Sequence, residues 1–214
     1  MDHRIITNTG SRKVIGRFPS WKLGQMVMFE SKLERDYLYL LDYDPAVVAI
    51  RGQWPRIRYV LDGKFRTYWP DFRVERLNKR QIIEVKPAKK ARKEDNVRRF
   101  QAIRQVCLDK GYEFALVTEE TIRLEPRLKN IKLLWRYSRI EIWPRHQLAC
   151  YEFFGSRADA NLQELLDHFA KMHFGREVIY SMMFHGALSF DLTQEINRNT
   201  RLWVDVATAA RRAS

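Results

Sequence analysis

The sequence is poor in the residues that mark secreted, membrane-spanning or low-complexity proteins. Its 214 residues include only two cysteines, Cys107 and Cys150, which excludes a framework of disulfides. Both cysteines have apolar neighbours, so we expect two small core residues in a reducing compartment. No apolar run approaches the ~20 residues that span a bilayer, and the N-terminus does not resemble a signal peptide. We therefore expect a cytoplasmic protein without membrane association.

Acidic residues are also scarce relative to basic ones. Lys and Arg number 39 and Asp and Glu only 26, which gives a formal net charge of +13. A protein this basic usually binds a polyanion, and nucleic acid is the leading candidate. The alternative is that the charge serves only solubility. The five histidines show no paired spacing with cysteine, so a structural zinc site is not expected.

The hydrophobic pattern of the first two thirds of the chain predicts a mixed sheet flanked by helices, an α/β or α+β fold, of which we favour α/β. Asp62-Gly63 between two β-rich runs predicts a hairpin, and Pro45 predicts the end of the first helix. The predicted elements are an irregular basic arm at 1–25, a helix at 29–41, a strand at 46–51, a hairpin at 56–69, a strand pair at 72–77 and 81–85, a helix at 91–110, a strand at 114–118 and a helix at 119–130.

The composition changes near residues 146–158, and we predict a domain boundary there, between 1–145 and 146–214. Two amphipathic helices at 159–173 and 176–184, followed by short strands at 187–192 and 201–206, predict a small winged-helix-like module. This module has more large apolar residues than a domain of about 65 residues is expected to bury alone. The surplus favours an exposed apolar surface that binds protein partners. They are Phe153, Phe154, Met172, Phe174, Met182, Met183 and Phe184.

Three charged residues converge at one end of the second strand pair. If that hairpin is centred between Leu77 and Asn78, Asp71 lies opposite Glu84, and Lys86 shares their face of the sheet. Two facing carboxylates suit a divalent cation such as Mg²⁺ or Mn²⁺, which activates water for phosphodiester hydrolysis. A lysine beside them can offset developing negative charge. The alternative is a strand cap with a solvated cross-strand ion pair.

A further acid, Glu34, lies on the apolar stripe of the first helix, beside Leu33. A buried carboxylate is costly unless it is paired or binds metal, so we favour a role at the metal site. Glu30 lies one turn earlier, in the first turn of the predicted helix. Its favourable interaction with the helix dipole explains an acidic residue there without a role at the metal site.

A run of basic residues follows Lys86 on the predicted helix at 91–110 and just before it. We expect this run to contact DNA phosphates, with a merely solvated helix face as the alternative. The residues concerned are Lys89, Lys90, Arg92 and Lys93.

These motifs together resemble the restriction-endonuclease-like PD-(D/E)xK nucleases and, more specifically, TnsA, the endonuclease subunit of heteromeric, Tn-seven-like transposases. The resemblance covers residues 25–120 and implies a restriction-endonuclease-like fold. It also implies that Glu34, Asp71 and Lys86 are catalytic and that Glu84 lies beside the metal. Asp44 falls where some members carry an acid, but its place before Pro45 favours a helix-terminating role over a catalytic one. The matching segments are Leu33-Glu34, Asp44-Pro45, Ile50-Arg51-x-Gln53-x-Pro55, Pro70-Asp71-Phe72 and Glu84-Val85-Lys86-Pro87.

The resemblance implies a bacterial, Mg²⁺-dependent DNA endonuclease for which Mn²⁺ substitutes, with Asp71, Glu84 and Glu34 as the metal site. Such an enzyme cuts the 5′ ends of a transposon while a TnsB-like transposase acts on the 3′ ends, and an AAA+ regulator resembling TnsC is a further partner. The second module contacts these partners. Two alternatives remain: a stand-alone restriction or repair nuclease of the same fold, and a DNA-binding assembly subunit without catalysis.

Overall fold

The computed structural model describes residues 14–52 and 56–204, and the chain divides into two compact units, 1–124 and 125–214. This division falls earlier than the predicted boundary at residue 145. The helix expected over 119–130 is interrupted around Pro126, and its second half belongs to the second unit. The first half ends at Ile122, and because Glu125 precedes Pro126 and is disfavoured in the α conformation, helical structure resumes only at Arg127.

The first unit contains a hairpin, a central sheet, a two-stranded ribbon and helices. Its strands are β1 (Gly16–Ser20), β2 (Gln25–Phe29), β3 (Val47–Gly52), β4 (Ile57–Leu61), β5 (Lys64–Tyr68), β6 (Phe72–Arg76), β7 (Lys79–Val85) and β8 (Glu113–Val117). Its helices are α1 (Lys32–Tyr43), α2 (Ala88–Ala91), α3 (Glu94–Asp109) and α4 (Glu119–Ile122).

The N-terminal segment is more regular than expected. β1 and β2 form an antiparallel hairpin in which Gly16 pairs with Phe29, so the prediction of an irregular arm is wrong from residue 16 onward. Residues 1–13 of that arm lie outside the described residues. Because Phe29 belongs to β2, α1 starts three residues later than predicted, after the N-cap Ser31. It ends at Tyr43, two residues later than predicted, and its C-cap Asp44 directly precedes Pro45, the residue expected to end it.

The central sheet has the strand order β3-β6-β7-β8, antiparallel except for the parallel pair β7 and β8. Tyr37 of α1 contacts Phe72 on one face of the sheet, with ring centres 6.4 Å apart. On the other face, Ile82 packs in one cluster with Ile103 of α3. The predicted mixed sheet flanked by helices is confirmed.

The second unit contains helices and a small antiparallel sheet of order β10-β11-β9. Its elements are, in order, two helices, a strand, two helices and two strands, and the identification as a winged-helix-like module remains a prediction. The predicted strand at 201–206 ends at Trp203, and residues 205 and 206 lie outside the described residues. The elements are α5 (Arg127–Trp135), α6 (Pro144–Phe154), β9 (Ala160–Asn161), α7 (Leu162–Lys171), α8 (Arg176–Phe184), β10 (Ser189–Phe190) and β11 (Arg201–Trp203).

Most of the apolar residues expected on an exposed, partner-binding surface of the second unit form its core instead. Met172 alone of the seven is exposed, and Phe174 is half-buried. The expectation of a surplus is wrong because α8 is buried along most of its length. The buried members are Phe153, Phe154, Met182, Met183 and Phe184.

Both cysteines are buried, as expected. Burial raises the pKa of the Cys107 thiol to about 11 and that of Cys150 to about 12, so both are protonated at neutral pH. Among the described residues, no helix combines the length and apolar character that crossing a membrane requires.

Candidate active site

The pairing of β6 and β7 brings Asp71 and Glu84 together. Phe72 pairs with Ile83 and Arg73 with Ile82, which is the register predicted from a turn between Leu77 and Asn78. Asp71, one residue before β6, therefore lies level with Glu84. Its backbone N–H donates to the carbonyl of Ile83 at 3.1 Å, and the N–H of Val85 donates to its Oδ2 at 2.7 Å. The main chain of β7 thus holds the Asp71 carboxyl in place.

Both carboxylate oxygens of Glu84 have partners. Lys86 Nζ donates to Oε1 at 2.6 Å, and the hydroxyl of Tyr68 donates to Oε2 at 2.7 Å. Lys86 also lies over the ring of Phe100, 5.4 Å from its centre. The structure therefore brings Glu84 and Lys86 together as predicted.

Sequence analysis missed Tyr68. Its position at the end of an alternating strand predicts an inward-facing side chain, but no local pattern predicts a hydrogen bond to a residue 16 positions away.

Glu34 is buried, as its place on the apolar stripe predicted, but its carboxylate has local partners. Ser31 Oγ donates to Oε1 at 2.8 Å, and the backbone N–H of Glu30 donates to Oε2 at 2.6 Å. The N–H of Glu34 in turn donates to Ser31 Oγ at 3.1 Å. Ser31 and Glu34 therefore cap the start of α1 together, which gives Glu34 a structural role there.

The acidic side chains of this region act on one another electrostatically. Burial raises the pKa of Asp71 well above its ordinary range, and the negative charges of Glu84 and Glu34 raise it further. The Val85 N–H and the Lys86 ammonium oppose that rise. The pKa of Glu34 is also raised, first by burial and then by Glu30 and Glu84. A cation placed among these carboxylates would relieve their repulsion.

The donor set fits a hard divalent cation that keeps much of its water. In the described part of the chain, no three His, Cys, Asp or Glu side chains are grouped as a ready-made metal cage. Asp71 and Glu84 provide two facing carboxylates, while Glu34 is engaged at its own helix cap. Mg²⁺ is commonly bound by one or two carboxylates together with water molecules, so two are sufficient.

The basic run after Lys86 is divided between two helices. Lys93 has an extended backbone conformation, with φ −64° and ψ 136°, and forms the N-cap of α3, so the continuous helix predicted from residue 91 is wrong. Lys89, Lys90 and Lys93 are exposed. Arg92 is exposed too, but its guanidinium pairs with Glu120 at 2.7 Å. The segment therefore presents three lysines and one partly neutralised arginine.

Two further expectations concern residues outside the catalytic set. Asp44 is the C-cap of α1; its Oδ1 accepts the N–H of Ala46 at 2.9 Å, and its Oδ2 pairs with Arg76. This agrees with the structural role expected for it. Gln53 and Pro55, part of the family resemblance, lie outside the described residues.

Residues 44–119 match the sequence profile of the TnsA-like endonuclease N-terminal domain. The match includes Asp71, Glu84, Lys86 and the basic run, and it begins after Glu34. It confirms the resemblance to a TnsA-like nuclease and is consistent with the restriction-endonuclease-like fold. A comparison with curated proteins finds no significant match.

Proposed function

Because residues 44–119 match the TnsA-like endonuclease N-terminal domain, we propose that the chain is a metal-dependent DNA endonuclease acting in transposition. It cleaves the 5′ ends of a transposon while a partner transposase processes the 3′ ends. The observation that carries this proposal is the juxtaposition of Asp71, Glu84 and Lys86 at one end of the β6–β7 hairpin.

Asp71 and Glu84 are proposed to hold Mg²⁺, for which Mn²⁺ substitutes, and Glu34 supports them from α1. When bound, such an ion would supply activation of water for attack and stabilisation of negative charge on the phosphate. Lys86 adds positive charge where the phosphate would lie, because its ammonium group is held at Glu84 Oε1. Tyr68 fixes the orientation of Glu84 by occupying its second oxygen.

Duplex DNA is the proposed substrate, and the basic run beside Lys86 is proposed to bind its backbone. Lys89, Lys90 and Lys93 are exposed and each can contact a phosphate. Arg92 is expected to contribute less, because Glu120 already pairs with it.

The second unit is proposed to bind protein partners, a TnsB-like transposase and a TnsC-like AAA+ regulator, in the bacterial cytoplasm. Its α8 is buried along most of its length, which leaves little exposed face for a DNA groove. Exposed apolar side chains lie instead at the start and along one side of α6: Trp143, Leu148 and Tyr151. Exposed apolar residues of this kind favour protein contacts.

The test is nicking of a transposon-end duplex in Mg²⁺, with and without the products of the neighbouring genes. Asp71→Ala should abolish cleavage and retain most DNA binding, whereas Asp109→Ala, an exposed acid on α3, should cut like the wild type. Cleavage by Asp71→Ala at the wild-type rate would refute the site. Cleavage of any duplex by the chain alone, whatever the DNA sequence, would favour a stand-alone nuclease. If no cleavage occurs under any condition, an inactive assembly subunit would be favoured.

A further inference from the structure

The β4–β5 ribbon has two faces of opposite character. Its register pairs Val60 with Phe65 and Arg58 with Thr67, and the chain reverses through Asp62 and Gly63, both with positive φ. Because side chains alternate along each strand, one face is directed inward and packs in the cluster with α3. The inward residues include Ile57, Tyr59 and Tyr68.

The opposite face, called here the outer face, carries apolar and aromatic side chains in contact with solvent. Phe65 is 88% exposed and its partner Val60 is 51% exposed. Trp69, immediately after β5, is 38% exposed. Such exposure is costly in water and indicates a surface that is covered in the working complex. The outer face comprises Arg56, Arg58, Val60, Phe65, Thr67 and Trp69.

The charge of the ribbon fits a polyanion. Arg56, Arg58, Lys64 and Arg66 lie in the ribbon or at its base, and all four are exposed. The sole acid from residue 56 to residue 69 is Asp62, whose carboxylate pairs with Arg98 of α3 and lies 4.0 Å from Arg66. With four basic residues and one acid, the ribbon carries net positive charge around its exposed aromatic residues.

The ribbon is also joined to the candidate active site. Tyr68 at the end of β5 donates its hydroxyl hydrogen bond to Glu84, and Asp71 follows three residues later. Glu84 shares its face of β7 with Ile82, which packs in the same cluster as the inner face of the ribbon. A molecule seated on the outer face beside Trp69 is thus held close to the proposed cleavage site.

We propose that the outer face of the β4–β5 ribbon docks in the major groove of duplex DNA beside the phosphate that is cut, an inference that rests on the proposed function. The major groove is about 12 Å wide and accepts a two-stranded β-ribbon. Strands about 4.8 Å apart and five residues long match that space. Arg58 can donate to guanine and Thr67 to either base edge, while Phe65 can contact a thymine methyl group.

The location is tested by a cleavage reagent tethered to the ribbon. Cys107 and Cys150 are both buried, so Phe65→Cys provides a selectively reactive thiol for maleimide-linked iron–EDTA. The matched control is Leu77→Cys, which is 78% exposed at the β6–β7 turn, the opposite end of β6 from Asp71. The full-length protein is bound to a transposon-end duplex with the neighbouring gene products, and hydroxyl-radical cuts are mapped.

The Mg²⁺-dependent cut made on the same duplex by the untethered wild type marks the scissile phosphate. The expected result is that radical cuts from position 65 cluster beside that phosphate, whereas those from position 77 do not. Equal patterns from both positions, on a duplex that the wild type cuts in Mg²⁺, would overturn the ribbon proposal alone. Absence of the Mg²⁺-dependent cut from the untethered wild type would instead contradict the proposed function.

A second measurement tests the charges. Arg56→Gln with Arg58→Gln should reduce the slope of log affinity against log salt by about 1.8 on a fluorescent random-sequence duplex, about 0.9 for each phosphate that is no longer neutralised. The control Lys79→Gln with Arg104→Gln removes the same charge beside the cavity at the β6–β7 turn and should change the slope much less. Equal slopes in the two variants would overturn the proposal. The proposal would also be overturned if Phe65→Ala binds DNA normally but no longer binds the partner transposase. That result would show that the outer face binds a protein rather than DNA.

Discussion

Replacing Tyr68 by Phe is the sharpest test of how the candidate site is held together. Tyr68 is only 1% exposed, and its hydroxyl donates to Glu84 Oε2 at 2.7 Å. Phenylalanine keeps the ring that packs against Phe114, 6.3 Å away between centres, and under the guanidinium of Arg99. The substitution therefore removes one hydrogen bond to a carboxylate and leaves the packing in place.

The expected cost in unfolding free energy follows from that single hydrogen bond. A hydrogen bond to a charged group contributes about 1.5–3 kcal/mol, and Lys86 still pairs with Glu84 in the variant, so the lower end of that range is expected. The control is Tyr59→Phe, since Tyr59 is buried in the same cluster but makes no hydrogen bond through its hydroxyl within the described residues. Urea unfolding of both variants gives the difference.

Metal affinity supplies a second readout that a purely structural role would not change. If Tyr68 orients Glu84 as a ligand, Tyr68→Phe should weaken Mn²⁺ binding about 10- to 100-fold, measured from the electron paramagnetic resonance signal of free Mn²⁺. Tyr59→Phe should bind Mn²⁺ like the wild type. The reasoning fails if the two variants have the same unfolding free energy and the same Mn²⁺ affinity.

Three further predictions use other parts of the chain. The pKa of Asp71 is raised in the folded state, so protonated Asp71 stabilises the fold fully below about pH 4, and this stabilisation is lost as pH rises through the raised pKa. Asparagine cannot ionise, so Asp71→Asn should melt higher than wild type at neutral pH in EDTA. This advantage should vanish near pH 4. Replacing Lys89, Lys90 and Lys93 by Gln should lower the salt slope of DNA binding by up to about 2.7, and an unchanged slope would indicate a merely solvated surface. Asn130→Ala should destabilise the second unit by about 2–3 kcal/mol in urea unfolding, because its buried side chain bonds to the backbone of residues 192, 194 and 196.

Features that depend on neighbouring residues could be predicted from the amino-acid sequence. Asp62-Gly63 predicted the β4–β5 turn, and Pro45 predicted the end of α1. The turn after Leu77 predicted the β6–β7 register and hence the level of Asp71 with Glu84. These predictions succeeded because turn preferences, the steric effect of proline and the alternation of side chains along a strand each depend on residues that are close together in the sequence.

Features that depend on residues far apart in the chain became evident only in the folded structure. Tyr68 meets Glu84 across 16 positions, and Asn130 meets the backbone more than 60 positions away, contacts that no spacing rule predicts. The same is true of burial in the second unit, where Met182 and Met183 proved to be core. The sequence shows which side chains are apolar, but only the packing of the helices and strands decides which of them face a neighbour and which face water. The reason is that the hydrophobic effect is non-directional and specifies no particular partner.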